Sequence, residues 1–373
     1  MPSGPNRYRR SASLSVCATR QTAGGISSTG TQSSTNPDGL TRLTSIQPHW
    51  AVEGGRVTIH GSGFPIDRPR LPGVTIGDTH ARAVYASASM ISVLVPGGLD
   101  GGQTAVRIAD VPGETAFVEV GIPLATGLHQ VDNPVFDRDG NLYVTYSGTR
   151  GQEVPVSIFR VGPNGRRESY VSGIVNPTSM TFDASGQLYV SSRFEGSVYR
   201  VFPNGTYEPY ATDLGIACGV AFDRHGVLYV GDRSGTVFAV QRDRRVNTIA
   251  TLPASVAAFH LALGPDDCVY ISAPTLGPYD HVYRLDPASG AIDRVYSGFG
   301  RPQGIAFDSQ GALYVIEALA GWNGLYRVRP DGSSEIVVAG QSLVGVAFDP
   351  NGGLVVTSND TAYRLNVPIR PLV

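Results

Sequence analysis

Lysine is missing from all 373 residues, so every one of the 29 basic side chains is arginine. Schiff-base chemistry and the phosphate-binding P-loop both require an ammonium group and are excluded. Charged residues of either sign make up only 16%, with a net charge of -2. The chain therefore lacks the basic excess of a nucleic-acid-binding domain. Three cysteines, Cys17, Cys218 and Cys268, are too few and too scattered for a disulfide framework or a zinc site. Apolar runs long enough to span a bilayer are lacking. Near the amino terminus Leu14–Ala18 is too short for a secretory signal, so no compartment can be read from the sequence. What is abundant is turn former, with 46 Gly and 26 Pro, too many for a helical bundle.

Residues 1–39 are rich in Ser, Thr, Gly and Arg and are expected to form a disordered tail. Beyond residue 121 the chain repeats. Phe136-Asp137-Arg138-Asp139-Gly140-Asn141-Leu142-Tyr143-Val144 returns at Phe182–Val190, Phe222–Val230, Phe307–Val315 and Phe348–Val356, with a degenerate copy at Leu263–Ile271. The spacings are 46, 40, 41, 44 and 41 residues, the period of a four-stranded propeller blade. In each copy the Phe closes an inner strand, Asp and Gly make the turn, and Leu-Tyr-Val opens the next strand. Three consecutive apolar residues suit a strand buried on both faces. The last copy runs out of chain before its outer strand. Ile122–Thr126 mirrors Glu208–Thr212 and is expected to supply it, closing six blades over residues 122–373 and removing exposed edges.

Residues 40–121 carry no such repeat. Strand-like runs at Leu43–Ile46, Val57–His60, Val74–Ile76, Ala81–Ala86, Ile91–Val95, Ala105–Ile108 and Ala116–Val120 are separated by Gly/Pro turns and predict a small β-sandwich. Ile59-His60-Gly61-Ser62-Gly63-Phe64, followed by Val74–Gly77 and Val93–Pro96, resembles the immunoglobulin-like IPT/TIG domain. The repeats resemble the six-bladed propeller group of NHL repeats, gluconolactonases (the senescence-marker family) and streptogramin lyases, with Arg301–Asp308 reading like an NHL repeat. The expected class is all-β: an immunoglobulin-like sandwich followed by a closed six-bladed propeller. That resemblance implies a scaffold shared by hydrolases and by pure binding proteins.

In such a topology the starts of the inner strands and the ends of the second strands meet at the mouth of the central channel. Aligned copies place Asp132, Asn133, Thr178, Cys218, His260 and Gln303 at the starts. Tyr146, Arg193, Asp232, Arg233, Glu317 and Asn359 lie at the ends. Asp232, Glu317 and Asn133 form an oxygen-rich set suited to Ca2+ or another divalent cation, with Asp132 nearby. Asp232, Glu317 or His260 would then serve as base, activating water against a lactone or small ester. Gluconolactonase relatives work in this way, but their metal-binding Asn is replaced here by Cys218 or Gln303, and no counterpart of their leading Glu is visible. His260 stands where other copies have Gly219, Gly304 or Gly345, and it is the one mouth histidine available to lyase-type chemistry.

Arg193, Arg233, Gln303 and Trp322 join Asp132 and Asn133 as candidate contacts for a small molecule, sugar or peptide. Cys218 would be a nucleophile in an electropositive site and otherwise an apolar plug. Gly61-Ser62-Gly63 continues into Phe64-Pro65 rather than a helix, so no nucleotide cofactor is expected. The leading expectation is ligand or partner binding at the propeller mouth. Metal-assisted hydrolysis is the alternative, with streptogramin-type elimination behind it.

Overall fold

The computed structural model describes residues 41–66, 70–109, 111, 113–319 and 321–368. The expected tail at 1–39 lies outside them. Among the described residues every regular element is a β-strand, and no helix is long and apolar enough to cross a membrane.

Each repeat builds four antiparallel strands of one sheet; five of these six sheets stop at four strands, and that of the fifth repeat continues into the amino-terminal strands. The second, for example, runs Pro177–Phe182, Leu188–Ser192, Ser197–Val201, Tyr207–Ala211. The sixth contains Leu343–Phe348, Leu354–Ser358 and Ala362–Leu365, and its fourth strand is Ile122–Ala125 from ahead of the first repeat, with Pro123 opposite Tyr363. First strands of successive sheets pack side by side from Pro177–Phe182 through to Leu343–Phe348. Val135–Phe136 lies against both of these end members.

The repeat signature has a local physical cause. Asp223 Oδ1 accepts the amides of His225 and Val227 at 2.8 and 2.9 Å, while Oδ2 accepts the Tyr229 hydroxyl at 3.0 Å. Asp137 and Asp183 do the same in their own copies. One carboxylate thus satisfies a turn that would otherwise leave amides unpaired. In the degenerate copy Asp267 takes the Gly position and adopts its left-handed conformation, at φ 61°. The tyrosine also joins sheets. Tyr143 meets Phe182, Tyr189 meets Phe222, Tyr270 meets Phe307 and Tyr314 meets Phe348, all edge-on at 4.7–5.4 Å between centroids. The sixth copy has Val355 in place of tyrosine, and Val355 shares one apolar cluster with Phe136, Leu142 and Val144 of the first.

The amino-terminal strands form two sheets, but one of them is not confined to that region. Arg42–Gln47, Arg56–Ser62, Met90–Leu94 and Ala83–Ala86 make a separate four-stranded sheet. The facing strands continue into the fifth repeat through Trp50–Ala51, which pairs in parallel with Ser334–Ala339 on one side and Ala116–Val120 on the other. The resulting sheet has nine strands. Ala339 belongs to the amino-terminal core, and Val52 is buried in the core of the fifth and sixth repeats. The expected run Ala81–Ala86 breaks at Arg82, with Thr79–Ala81 in the long sheet and Ala83–Ala86 in the other.

Candidate functional site

The first strand of the first repeat has only two residues, Val135–Phe136. The chain before it, Gln130 to Asn133, instead reaches residues of several other repeats. Asn133 donates through Nδ2 to Ile305 O at 2.7 Å and accepts at Oδ1 from Val346 N at 2.9 Å. Gln130 donates through Nε2 to Asp132 O at 2.6 Å, accepts from Thr145 N at 2.7 Å, and bonds through its own amide to Asn359 O. Room for this segment is made by glycine. A Cβ on Gly304 would collide with Asn133 Oδ1, and one on Gly345 would meet Asp132 O at 2.5 Å.

His260, from the fourth repeat, replaces the glycine that the third, fifth and sixth repeats carry at this position and meets Asp132 with Nδ1 and Oδ1 2.6 Å apart. Both are buried, at 0% and 1% exposure. Asp132 Oδ1 also accepts from Asn133 N at 2.7 Å. When Nδ1 carries the hydrogen toward the carboxylate, the lone pair of a neutral imidazole lies on Nε2. Nε2 and Asp132 Oδ2 are both buried without a partner in the protein.

A cavity of about 240 Å³ is lined by residues of these same repeats. Arg193 and Arg233 contribute from the second and third repeats, Gln303 from the fifth, Asn359 from the sixth, and Gln130 from the connecting segment. Cys218 also lines it, but only 1% of that residue is exposed. Burial, above all, pushes its thiol up to about 12. That describes an inert apolar filler and not a nucleophile. Cys218 and Cys268 are both free thiols. The Arg193 guanidinium is held below its usual range by burial first; Cys218 opposes this, and Arg233 and then Arg150 add smaller like-charge repulsion. His129 on the same cavity is lowered by burial and then by Arg193.

Several expected site residues do other work. Asp232 accepts from Ile216 N at 2.8 Å and Ser234 N at 3.2 Å, and also from the Ser234 hydroxyl. Glu317 accepts from Gly300 N, Arg301 N and Leu319 N at 2.7, 3.1 and 2.6 Å. These two carboxylates occupy one repeat position and tie the loop before the first strand to the loop after the second. Ser192 fills the same role, bonding Val175 O at 2.6 Å. A calcium site needs six or more oxygens free to face the ion. Here the oxygens of Asp232, Glu317 and Asn133 are turned onto N–H donors and, at Asp232 Oδ2, onto the Ser234 hydroxyl. No group of three or more His, Cys, Asp or Glu among the described residues is placed to hold a metal. The residues do not fit the divalent cation that the resemblance implied, and neither carboxylate is left as a base.

Trp322 is also displaced from expectation. Its ring sits under Arg56 at 4.7 Å, in a groove of about 510 Å³ with Pro48, Tyr85, Met90 and Ile336. The loop carrying it folds toward the amino-terminal strands, with Trp322 O accepting the Tyr326 hydroxyl at 2.7 Å. Phe299 is buried at 3% against Tyr296 and Tyr326, while Tyr279 is exposed. Gln130 was not singled out from sequence; nothing in its type or spacing marks it, because its role depends on where the connecting segment runs.

Comparison with known proteins agrees at the level of fold. The IPT/TIG domain profile matches residues 42–116, about a fifth of the chain. No curated protein is significantly similar in sequence. Similar solved structures are propeller-type folds. They include a gluconolactonase assigned by protein family, with a TM-score of 0.55 and 18% identity over 67% of this chain and 93% of that one. An auxiliary nutrient binding protein from Bacteroides ovatus gives a TM-score of 0.52 at 13% identity, covering 88% and 98%. Virginiamycin B lyase from Staphylococcus aureus gives 0.48 at 14%, covering 66% and 87%. At these identities the likeness is one of fold and leaves the chemistry open.

Proposed function

We propose that the six sheets are the blades of one closed propeller over residues 122–373, that residues 40–121 form an immunoglobulin-like domain fixed to the fifth blade, and that the protein binds a small polar ligand at the channel mouth. The observation that carries this reading is the convergence of Arg193, Arg233, Gln303, Asn359 and Gln130 on one cavity. Four repeats and the connecting segment supply hydrogen-bonding groups to the same space, on a rigid scaffold. At about 240 Å³ the cavity falls below the usual 300–1,000 Å³ of drug-sized sites, which favours a single sugar-sized or smaller group over a peptide.

The test is a thermal-shift screen of the full chain against small sugars, sugar acids and amino acids, repeated with Gln303→Leu and Asn359→Leu. A saturable shift lost in both variants is expected. Turnover of lactones or esters abolished by chelation would contradict the reading.

A second reading, lyase- or hydrolase-type proton transfer, is favoured by one observation: the unpartnered His260 Nε2, with Nδ1 fixed by Asp132. His260 does not line the cavity, and the binding reading predicts that His260→Gln leaves ligand affinity within about twofold, less than the loss of one neutral hydrogen bond.

A further inference from the structure

We propose that the mouth is specific for an anion, a ligand whose carboxylate or phosphate group is gripped by Arg193 and Arg233 together. This rests on the binding reading above and names the ligand class. The two arginines occupy the same repeat position on adjacent sheets, where the other copies carry Ser147, Pro274, Ala318 and Asn359. Some arginines elsewhere in the fold meet acids, as Arg160 does Glu168, Arg245 Asp243, Arg284 Asp266 and Arg329 Glu335, while Arg138 donates to a backbone carbonyl. Arg193 and Arg233 have no such partner among the described residues, and no Asp or Glu lines their cavity.

Their donors are largely unused. A guanidinium carries five N–H donors. Arg233 engages Nε with Ser255 O at 3.2 Å and Nη2 with Val256 O at 3.1 Å, which fixes the plane of the group. Arg193 makes one long contact, Nη2 to Gly148 O at 3.5 Å. Two guanidiniums held near each other, with one of them half-buried, repel until a counter-charge enters. A carboxylate or phosphate, each with two or more oxygens, accepts from both forks at once, a geometry that arginine provides and lysine does not. Gln303 and Asn359 are left to recognise hydroxyl or carbonyl groups on the remainder of the ligand.

Calorimetric titration of the full chain with inorganic phosphate, D-gluconate and uncharged D-glucose tests the proposal. Saturable binding of at least one anion is expected, with phosphate or gluconate preference identifying the oxyanion. The binding should weaken by about tenfold or more in Arg233→Gln and in Arg193→Gln, the loss expected for a charge-assisted hydrogen bond. Arg233→Lys should recover part of the loss because it restores charge without the fork. Arg233 is exposed, so its variants should fold, which unchanged thermal unfolding would confirm. Glucose binding lost in Gln303→Leu but indifferent to the arginine variants would overturn the anion while leaving the mouth as the site. Absence of saturation by all three probes would overturn it as well, and anion binding undiminished in both arginine variants would place the anion elsewhere.

Discussion

Replacing His260 by alanine should destabilise the fold far more than its single hydrogen bond suggests. The imidazole is 0% exposed and faces a carboxylate that is 1% exposed, with 2.6 Å between Nδ1 and Oδ1. Removing the imidazole leaves Asp132 Oδ1 with only the Asn133 amide, while Oδ2 already lacks a partner. Breaking a buried pair by deleting one member costs about 3–5 kcal/mol, because the surviving group stays desolvated. Asp132→Asn keeps the shape and an acceptor for Nδ1, so a loss of only about 1 kcal/mol is expected. In a cycle with Asp132→Ala, the double variant His260→Ala/Asp132→Ala should lose less than the two singles summed, with a coupling of about 0.5–3 kcal/mol. Urea unfolding followed by tryptophan fluorescence and circular dichroism measures each corner. Singles that cost under about 1 kcal/mol and simply add would refute the buried pair.

Other consequences are open to direct measurement. Cys218 should resist alkylation at pH 8 in the folded protein and react on unfolding, since burial holds its thiol near 12. The sign follows for stability: a thiol raised above its ordinary value of 9.0 favours the fold fully below that pH, and the contribution is lost as pH rises toward 12. Tyr189, likewise pushed up to about 12 by burial and then by Asp183, adds to this alkaline loss, and a pH series of urea midpoints would show it. Tyr189→Phe, which gives up the bond to Asp183 but keeps the ring on Phe222, should cost about 0.5–1.5 kcal/mol. Arg193→Gln should raise the His129 titration only part of the way to its ordinary value, because burial is the larger cause, and NMR would resolve it. Deleting residues 1–121 should promote association visible in light scattering, since Ser334–Ala339 loses the cover of Trp50–Ala51 and becomes an open edge; a monodisperse monomer would contradict the shared sheet.

Much of the architecture was legible because its causes are local and recur. The Phe-Asp…Gly…Leu-Tyr-Val signature encodes a turn and a strand in one short window, so six copies could be counted without coordinates. Ile122–Thr126 was recognisable by its likeness to Glu208–Thr212, and the strand within it, Ile122–Ala125, pairs with Ala362–Leu365. His260 stood out because it broke the repeat. What could not be read was which exceptions meet. Asp132 and His260 are 128 residues apart and were named for separate reasons. Asp232 and Glu317 looked like free acids because a sequence does not show which way a carboxylate turns, and the nearby loop amides claim both. Trp322 was assigned to the mouth because its loop follows a second strand, yet the cation of Arg56 and the neighbouring strands draw it aside. Trp50–Ala51 is too short to carry any periodicity, so the junction it forms left no trace in the pattern.

The most direct test of the account is a crystal of the full chain soaked with gluconate or phosphate. The account predicts an oxyanion between Arg193 and Arg233, with Gln303 or Asn359 within hydrogen-bonding distance of the same ligand. Ordered water alone in that cavity, with the ligand instead against Trp322 and Tyr85, would contradict it.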